Sequence, residues 1–140
     1  VKLKTKGQKT QTESMLSVPR ELPALMRAQK VQKKAAKVGF DWDDAGGAFD
    51  KMYEELDELK IAMAQDDAPH IEEEMGDVLF TAVNIARFLK LDSEEALTGA
   101  TDKFVTRFQK VEQMAAEQGI DMKTASLEEL DELWAVAKKL

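Results

Sequence analysis

Cysteine is absent from the chain and histidine occurs once. Without thiols there are no disulfides and no thiolate metal sites, so a bound metal falls to oxygen donors or to the single imidazole, His70. Positive charge is in deficit: 20 Lys and Arg stand against 27 Asp and Glu, a net charge of -7. A field of that sign repels nucleic acid and anionic membranes unless a local basic patch or bound cations reverse it, so neither is expected as a partner. No apolar run is long enough to cross a bilayer, and the basic start (Lys2, Lys4, Lys6, Lys9) is not followed by a signal-type apolar stretch. Also missing are a Gly-rich phosphate loop, a Ser or Cys nucleophile set, a zinc signature and any convincing alternation of a β-strand. A soluble, cytoplasmic protein is compatible with these absences.

What is present is helical periodicity. At 140 residues the chain fits one domain. It begins at Val1, which leads us to expect a piece of a longer protein, a processed form or incomplete numbering. Residues 1–20, rich in Lys, Gln, Thr and Ser, read as a linker or disordered arm, and residues 21–140 as the folded domain. Pro19 and Pro23 mark the start of a helix to Val38 with a basic outer face, and Gly39 ends it. Phe40 and Trp42 are expected to anchor the next connector in the core, with Asp43 or Asp44 capping a helix over about 45–65. In that helix Phe49, Met52, Tyr53, Leu56, Leu59 and Met63 define a stripe expected to be buried. The helix from Pro69 to about Leu89 is apolar nearly all round by its end, hence central. Ser93 opens a helix to about Gln118, closed by Gly119, and Ser126-x-x-Glu129 opens the last. The expectation is an all-α antiparallel bundle of about five helices, in which the helix holding Glu58 runs back against the one holding Glu74.

Those two helices carry the chemistry. Positions three or four apart share a helix face, so Glu55 and Glu58 project together, with Glu54 beside them, and Glu74 and Asp77 do the same. A charged face is most often plain solvated surface. Here, however, Met75, Val78 and Leu79 interleave the acids with apolar positions, and Gly76 sits where Ala would suit a helix better by about 1 kcal/mol. Its missing side chain would permit close approach of a helix or ligand, though packing alone also explains it. Converging carboxylates repel unless a cation lies between them, and oxygen donors select Mg²⁺ first and Mn²⁺ second. Lys103 and Arg107 share a face of a later helix; they are either surface bases paired with Asp102 or Glu112, or the cationic half of a phosphate clamp. Asn84 bonds a ligand or a neighbouring helix, His70 takes a surface role, and Trp134 packs in a core stripe by default.

The ordered set Val38-Gly39-Phe40-Asp41-Trp42, Glu54-Glu55-x-x-Glu58, Glu72-Glu73-Glu74-Met75-Gly76-Asp77, Asn84-x-Ala86-Arg87 and Lys103-Phe104-x-x-Arg107-Phe108 closely resembles the MazG family of nucleoside triphosphate pyrophosphohydrolases. The resemblance runs from about residue 20 to the C-terminus and is nearest to the catalytic C-terminal half of two-domain members. It implies an all-α fold, a homodimer and Mg²⁺-dependent cleavage of NTPs or dNTPs to the monophosphate and pyrophosphate. By position it makes Glu55, Glu58, Glu74 and Asp77 metal ligands and gives Glu54 to catalysis. Lys51, Glu54, Lys103, Arg107 and Trp134 fall to the substrate. The pattern departs at Thr101 and Thr106, where family members often carry Asn and Arg. The chemistry expected is attack of water on the α-phosphorus, with Glu54 or a ligand carboxylate taking the proton. The alternatives are a relative specialised for one modified nucleotide, or a non-catalytic helical module that senses nucleotides.

Overall fold

A computed structural model describes residues 10–140, and residues 1–9 of the expected arm lie outside the described residues. The described residues are helical with no strand: α1 Gln11–Leu16, α2 Ala24–Ala36, α3 Ala45–Gln65, α4 Ala68–Phe88, α5 Ser93–Glu117 and α6 Leu127–Ala137. Part of the stretch read as an arm is thus ordered: Thr10 caps α1 by accepting from the Glu13 N–H, and Val18 is buried. The chain forms two compact units, one ending at Glu94 and the other Glu95–Leu140.

The first unit is built on the pairing of α3 with α4, while α2 packs on α4 and α1 on α2. Asp44 caps α3, accepting from the Gly46 N–H at 2.9 Å, as one of the two expected aspartates. Asp66, in the left-handed region at φ 54°, ends α3, and Pro69 occupies the first turn of α4, where its missing N–H has no partner to lose. The chain therefore doubles back within a few residues and lays the two acidic segments side by side.

What this unit buries differs from the expectation. The α3 stripe is not buried: Tyr53 is 64% exposed and Met63 61%, and Phe49 and Leu56 also lie open. The buried face of α3 is Ala48, Glu55 and Ala62, and that of α4 is Glu74, Val78, Thr81, Val83 and Asn84. Met75 and Leu79 are exposed, so α4 is not enclosed all round. Small residues let the helices approach, and the long apolar side chains then point outward.

Amides hold α2 in place. Gln29 donates to the Leu91 carbonyl at 2.9 Å and accepts from the Ser93 N–H at 2.9 Å and hydroxyl at 2.6 Å. Ser93 is thus the first residue of α5 and spends its polar groups on Gln29. Gln32 donates to the Phe80 carbonyl at 2.9 Å. Gly39 adopts φ 85° after α2, a conformation that favours glycine.

In the second unit Val111 and Ala115 of α5 pack with Leu133 and Ala137 of α6, flanked by Met114, Leu130 and Trp134. The turn uses Gly119 at φ 70°, and Ser126 and Glu129 form the expected reciprocal capping box.

Candidate metal centre and adjoining pocket

Glu55 and Glu58 lie one turn apart on α3, and with Glu74 of α4 they offer carboxylate oxygens all within 4.8 Å of one another. Glu73, Glu74 and Asp77 form a second group under the same limit. Glu74 belongs to both, so the expected ligands do converge, three directly and Asp77 through Glu74. Glu73 is not among the expected ligands, although it stands in the Glu72-Glu73-Glu74 run four residues before Asp77, a same-face spacing. Glu54 lies outside both groups, exposed, with Lys51 Nζ at 3.7 Å.

Burial makes this arrangement costly without a counter-charge. Glu55 is 4% exposed and Glu74 8%. Each has one partnered oxygen: Glu55 Oε1 lies 2.9 Å from Lys51 Nζ, and Glu74 Oε1 lies 3.1 Å from His70 Nε2. Oε2 of each is buried with no hydrogen-bond partner among the described residues. His70 is half-buried one turn before Glu74 and directed at it, a contact the expected surface role did not include. The charge crowding also reaches the neighbours. The Glu55 charge, then burial and the Glu74 charge, push the Glu58 carboxyl above the usual carboxylate range. Partial burial, followed by the charges of Glu55, Glu74 and Glu73, does the same to Asp77. Hydrogen bonding to Glu55 holds the Lys51 ammonium above its ordinary value. An excess of oxygen donors, two of them orphaned and buried, with no sulfur and one imidazole, fits a hard divalent cation.

A cavity of about 720 Å³ adjoins the cluster, with Lys51, Glu55 and Asp77 in its wall. It follows α4 through Thr81 and Asn84 to Arg87, ten residues or roughly 15 Å of helix beyond Asp77. Near Arg87 the connector between α2 and α3 closes the wall. Arg87 donates to both Asp41 oxygens at 2.8 Å and to Asn84 Oδ1 at 2.8 Å, and its guanidinium lies 4.9 Å from the Phe88 ring centroid. These bonds hold the Asp41 carboxyl below the usual carboxylate range. Asn84 thus serves a buried contact within its own helix. Trp42 packs on Phe88 at 6.3 Å, but it is partly open, and Phe40 is 82% exposed. Neither aromatic is the core anchor expected.

Gly76 has nothing within 4 Å of where a Cβ would stand, so no close approach explains it among the described residues. Lys103 is exposed and Arg107 half-buried on α5. Neither forms an ion pair among the described residues, so the pairing with Asp102 or Glu112 does not occur. Trp134 packs against Phe104 at 5.2 Å, and Phe104 stacks on Phe108 at 6.2 Å.

Residues 48–112 match the MazG nucleotide pyrophosphohydrolase domain. The chain is 45% identical over 141 residues to the nucleoside triphosphate pyrophosphohydrolase of Escherichia coli (strain K12), covering 99% of this chain and 54% of that protein. A Thermotoga maritima protein named nucleoside triphosphate pyrophosphohydrolase/pyrophosphatase MazG is 47% identical over 117 residues, 84% of this chain and 45% of its own length. Bacillus subtilis YabN, an uncharacterized protein, is 48% identical over 139 residues, 96% of this chain and 28% of its own. The chain spans about half the length of the two named hydrolases. The match runs through nearly all of α3, the whole of α4 and most of α5, and so takes in every residue of both acidic groups; over that span the chain is similar to the MazG nucleotide pyrophosphohydrolase domain.

Proposed function

We propose that the chain hydrolyses nucleoside triphosphates, ribo- or deoxy-, to the monophosphate and pyrophosphate with Mg²⁺, Mn²⁺ serving as a substitute. The observation that carries this reading is the pair of buried, unpartnered oxygens on Glu55 and Glu74, facing α3 and α4 acids beside a cavity of nucleotide size. Glu55, Glu58, Glu74 and Asp77 would hold the metal, with Glu73 in reach of the same ion. Bound there, a divalent cation supplies charge neutralisation for the phosphates and acidifies water.

The chain's own residues set the rest. Glu55, fixed by Lys51, and Glu74, fixed by His70, present their second oxygens without reorganisation. Lys51 lies in the cavity wall and meets phosphate on that side. The proton of the attacking water goes to a carboxylate, either Glu54 or one of the ligand acids. Lys103 and Arg107, two cations one turn apart with no ion pair among the described residues, are assigned to phosphate and Trp134 to the nucleotide, on residue type and on the family resemblance. The exposed apolar face of Phe49, Tyr53, Leu56 and Met63 supports a homodimer packed through α3. In keeping with the length of its relatives, the chain is read as the C-terminal half of a two-domain, cytoplasmic protein, without nucleic-acid or membrane partners. No described helix is long and apolar enough to cross a membrane.

The deciding experiment measures pyrophosphate released from each NTP and dNTP, with and without Mg²⁺. Metal-dependent release from several nucleotides supports the reading. Release from one modified nucleotide alone makes the protein a specialised relative, and binding without release makes it a sensor.

A further inference from the structure

The connector between α2 and α3 is built to a higher standard than a plain loop requires. The bidentate Arg87–Asp41 pair pins it to α4, and Arg87 is itself held by Asn84. Trp42 lies over the first turn of α3, which only a glycine there permits, since a Cβ at Gly47 would stand 2.5 to 2.8 Å from three Trp42 atoms. Yet Phe40, at the centre of this fixed segment, packs on so little that 82% of it is exposed, while it lines the cavity. A rigid scaffold that presents an unpacked aromatic ring to a pocket has the form of a stacking platform. The pocket says what the occupant is. Its wall near Lys51, Glu55 and Asp77 is charged and suits the triphosphate, and α4 carries it roughly 15 Å onward to the connector. A ligand anionic at one end and flat and apolar at the other is a nucleotide with its base at Phe40.

We infer that Phe40 and Trp42 form the nucleobase subsite of this pocket and that Arg87, acting through Asp41, is a positioning residue that holds it. The inference rests on the triphosphate reading of the acidic cluster. It goes beyond that reading by placing the base and assigning the loop.

The test compares Phe40→Ala, Phe40→Leu, Phe40→Trp and Arg87→Lys with the parent protein. Two measurements are made on each: kcat and KM for NTP hydrolysis, and metal-free binding of a nucleoside monophosphate by titration calorimetry. Because Phe40 is exposed, its variants fold. Phe40→Ala and Phe40→Leu raise KM and weaken monophosphate binding about tenfold, the scale of losing one base–aromatic stack, with kcat unchanged. Phe40→Trp restores both. Arg87→Lys, which replaces a planar fork by a point charge, moves the same two quantities in the same direction. Unchanged KM and binding in Phe40→Ala overturn the subsite, and a Phe40→Leu variant equal to the parent overturns stacking. If the parent hydrolyses no nucleotide, the hydrolase reading falls. The monophosphate titration then decides the subsite by itself: a tenfold loss on Phe40→Ala sustains it and no loss removes it.

Discussion

Lys51 Nζ stands 2.9 Å from Glu55 Oε1, one turn along the same helix, and is the cation that answers a carboxylate only 4% exposed. Lys51→Met leaves that carboxylate facing Glu58 and Glu74 with nothing between them. Breaking a fully buried pair costs about 3–5 kcal/mol, but the Lys51 side chain is 38% exposed, so solvent screening brings the expected loss to about 1–2 kcal/mol. The variant should melt lower when metal-free and gain more from added Mg²⁺ than the parent does. Thermal melts with and without the ion check both.

Glu58→Gln and Asp77→Asn separate function from stability. Each removes one negative charge from a repelling cluster, so the metal-free protein should melt at an equal or higher temperature. Each also removes a proposed ligand, and pyrophosphate release should fall on the order of 100-fold or more. A pyrophosphate assay paired with thermal denaturation gives both answers. An unfolded variant, or one with full activity, contradicts the assignment.

The exposed face of α3 makes its own prediction. Leu56→Glu puts a charge amid Phe49, Tyr53 and Met63, all open in the single chain. Where that face is a dimer interface the variant should sediment as a monomer; where it is bare surface, mass by light scattering stays unchanged and solubility improves.

How much of this was legible in the sequence divides along a physical line. Helix boundaries were, because Asp44, Pro69, Gly119 and the Ser126–Glu129 box are local signals that act through neighbouring backbone groups. The acidic pairs were, because three- and four-residue spacing fixes a helix face whatever surrounds it. Burial was not. Tyr53 and Met63 lie on the apolar stripe that normally faces the core, but Ala48 and Ala62 provide the closer helix contact, and the stripe faces outward. Periodicity reports an apolar face without saying what covers it. Asp41–Arg87 was equally out of reach, since it joins residues 46 positions apart and no local pattern encodes the pairing. The His70–Glu74 bond is an ordinary four-residue helix contact, and a lone histidine at that spacing carries no signal that sets it apart from a surface side chain.

Raised carboxylate pKa values translate into a stability profile with a definite sign. In the metal-free protein Glu58 and Asp77 hold their protons to higher pH folded than unfolded. The folded state therefore binds more protons across that interval, and stability falls as pH rises through it. Asp41 acts oppositely: its lowered value gives stability present above the ordinary aspartate range and lost as pH falls through the folded pKa. The metal-free melting temperature should thus decline from mildly acid to neutral pH and drop again in strong acid. Mg²⁺ should raise it at neutral pH and have little effect where Glu58 and Asp77 are protonated. Melts across pH with chelator or Mg²⁺ measure the crossover, and a metal effect independent of pH contradicts these ligands.

Two glycine-to-alanine changes should move stability in opposite directions, although both lie in helices and propensity alone favours each by up to about 1 kcal/mol. At Gly76 nothing stands within 4 Å of the added methyl group, so the propensity gain should appear nearly whole, at about 0.5–1 kcal/mol. At Gly47 the methyl group would meet Trp42 side-chain atoms at 2.5 to 2.8 Å. Overpacking of that kind costs about 1–3 kcal/mol and outweighs propensity. Gly47→Ala should therefore lose about 1 kcal/mol, alter the near-UV signal of Trp42 and loosen the connector that Asp41 and Arg87 hold. Chemical denaturation of both variants gives the two signs. A Gly76→Ala variant that gains stability but loses nucleotide turnover would show that a ligand or a second chain comes close to that helix face.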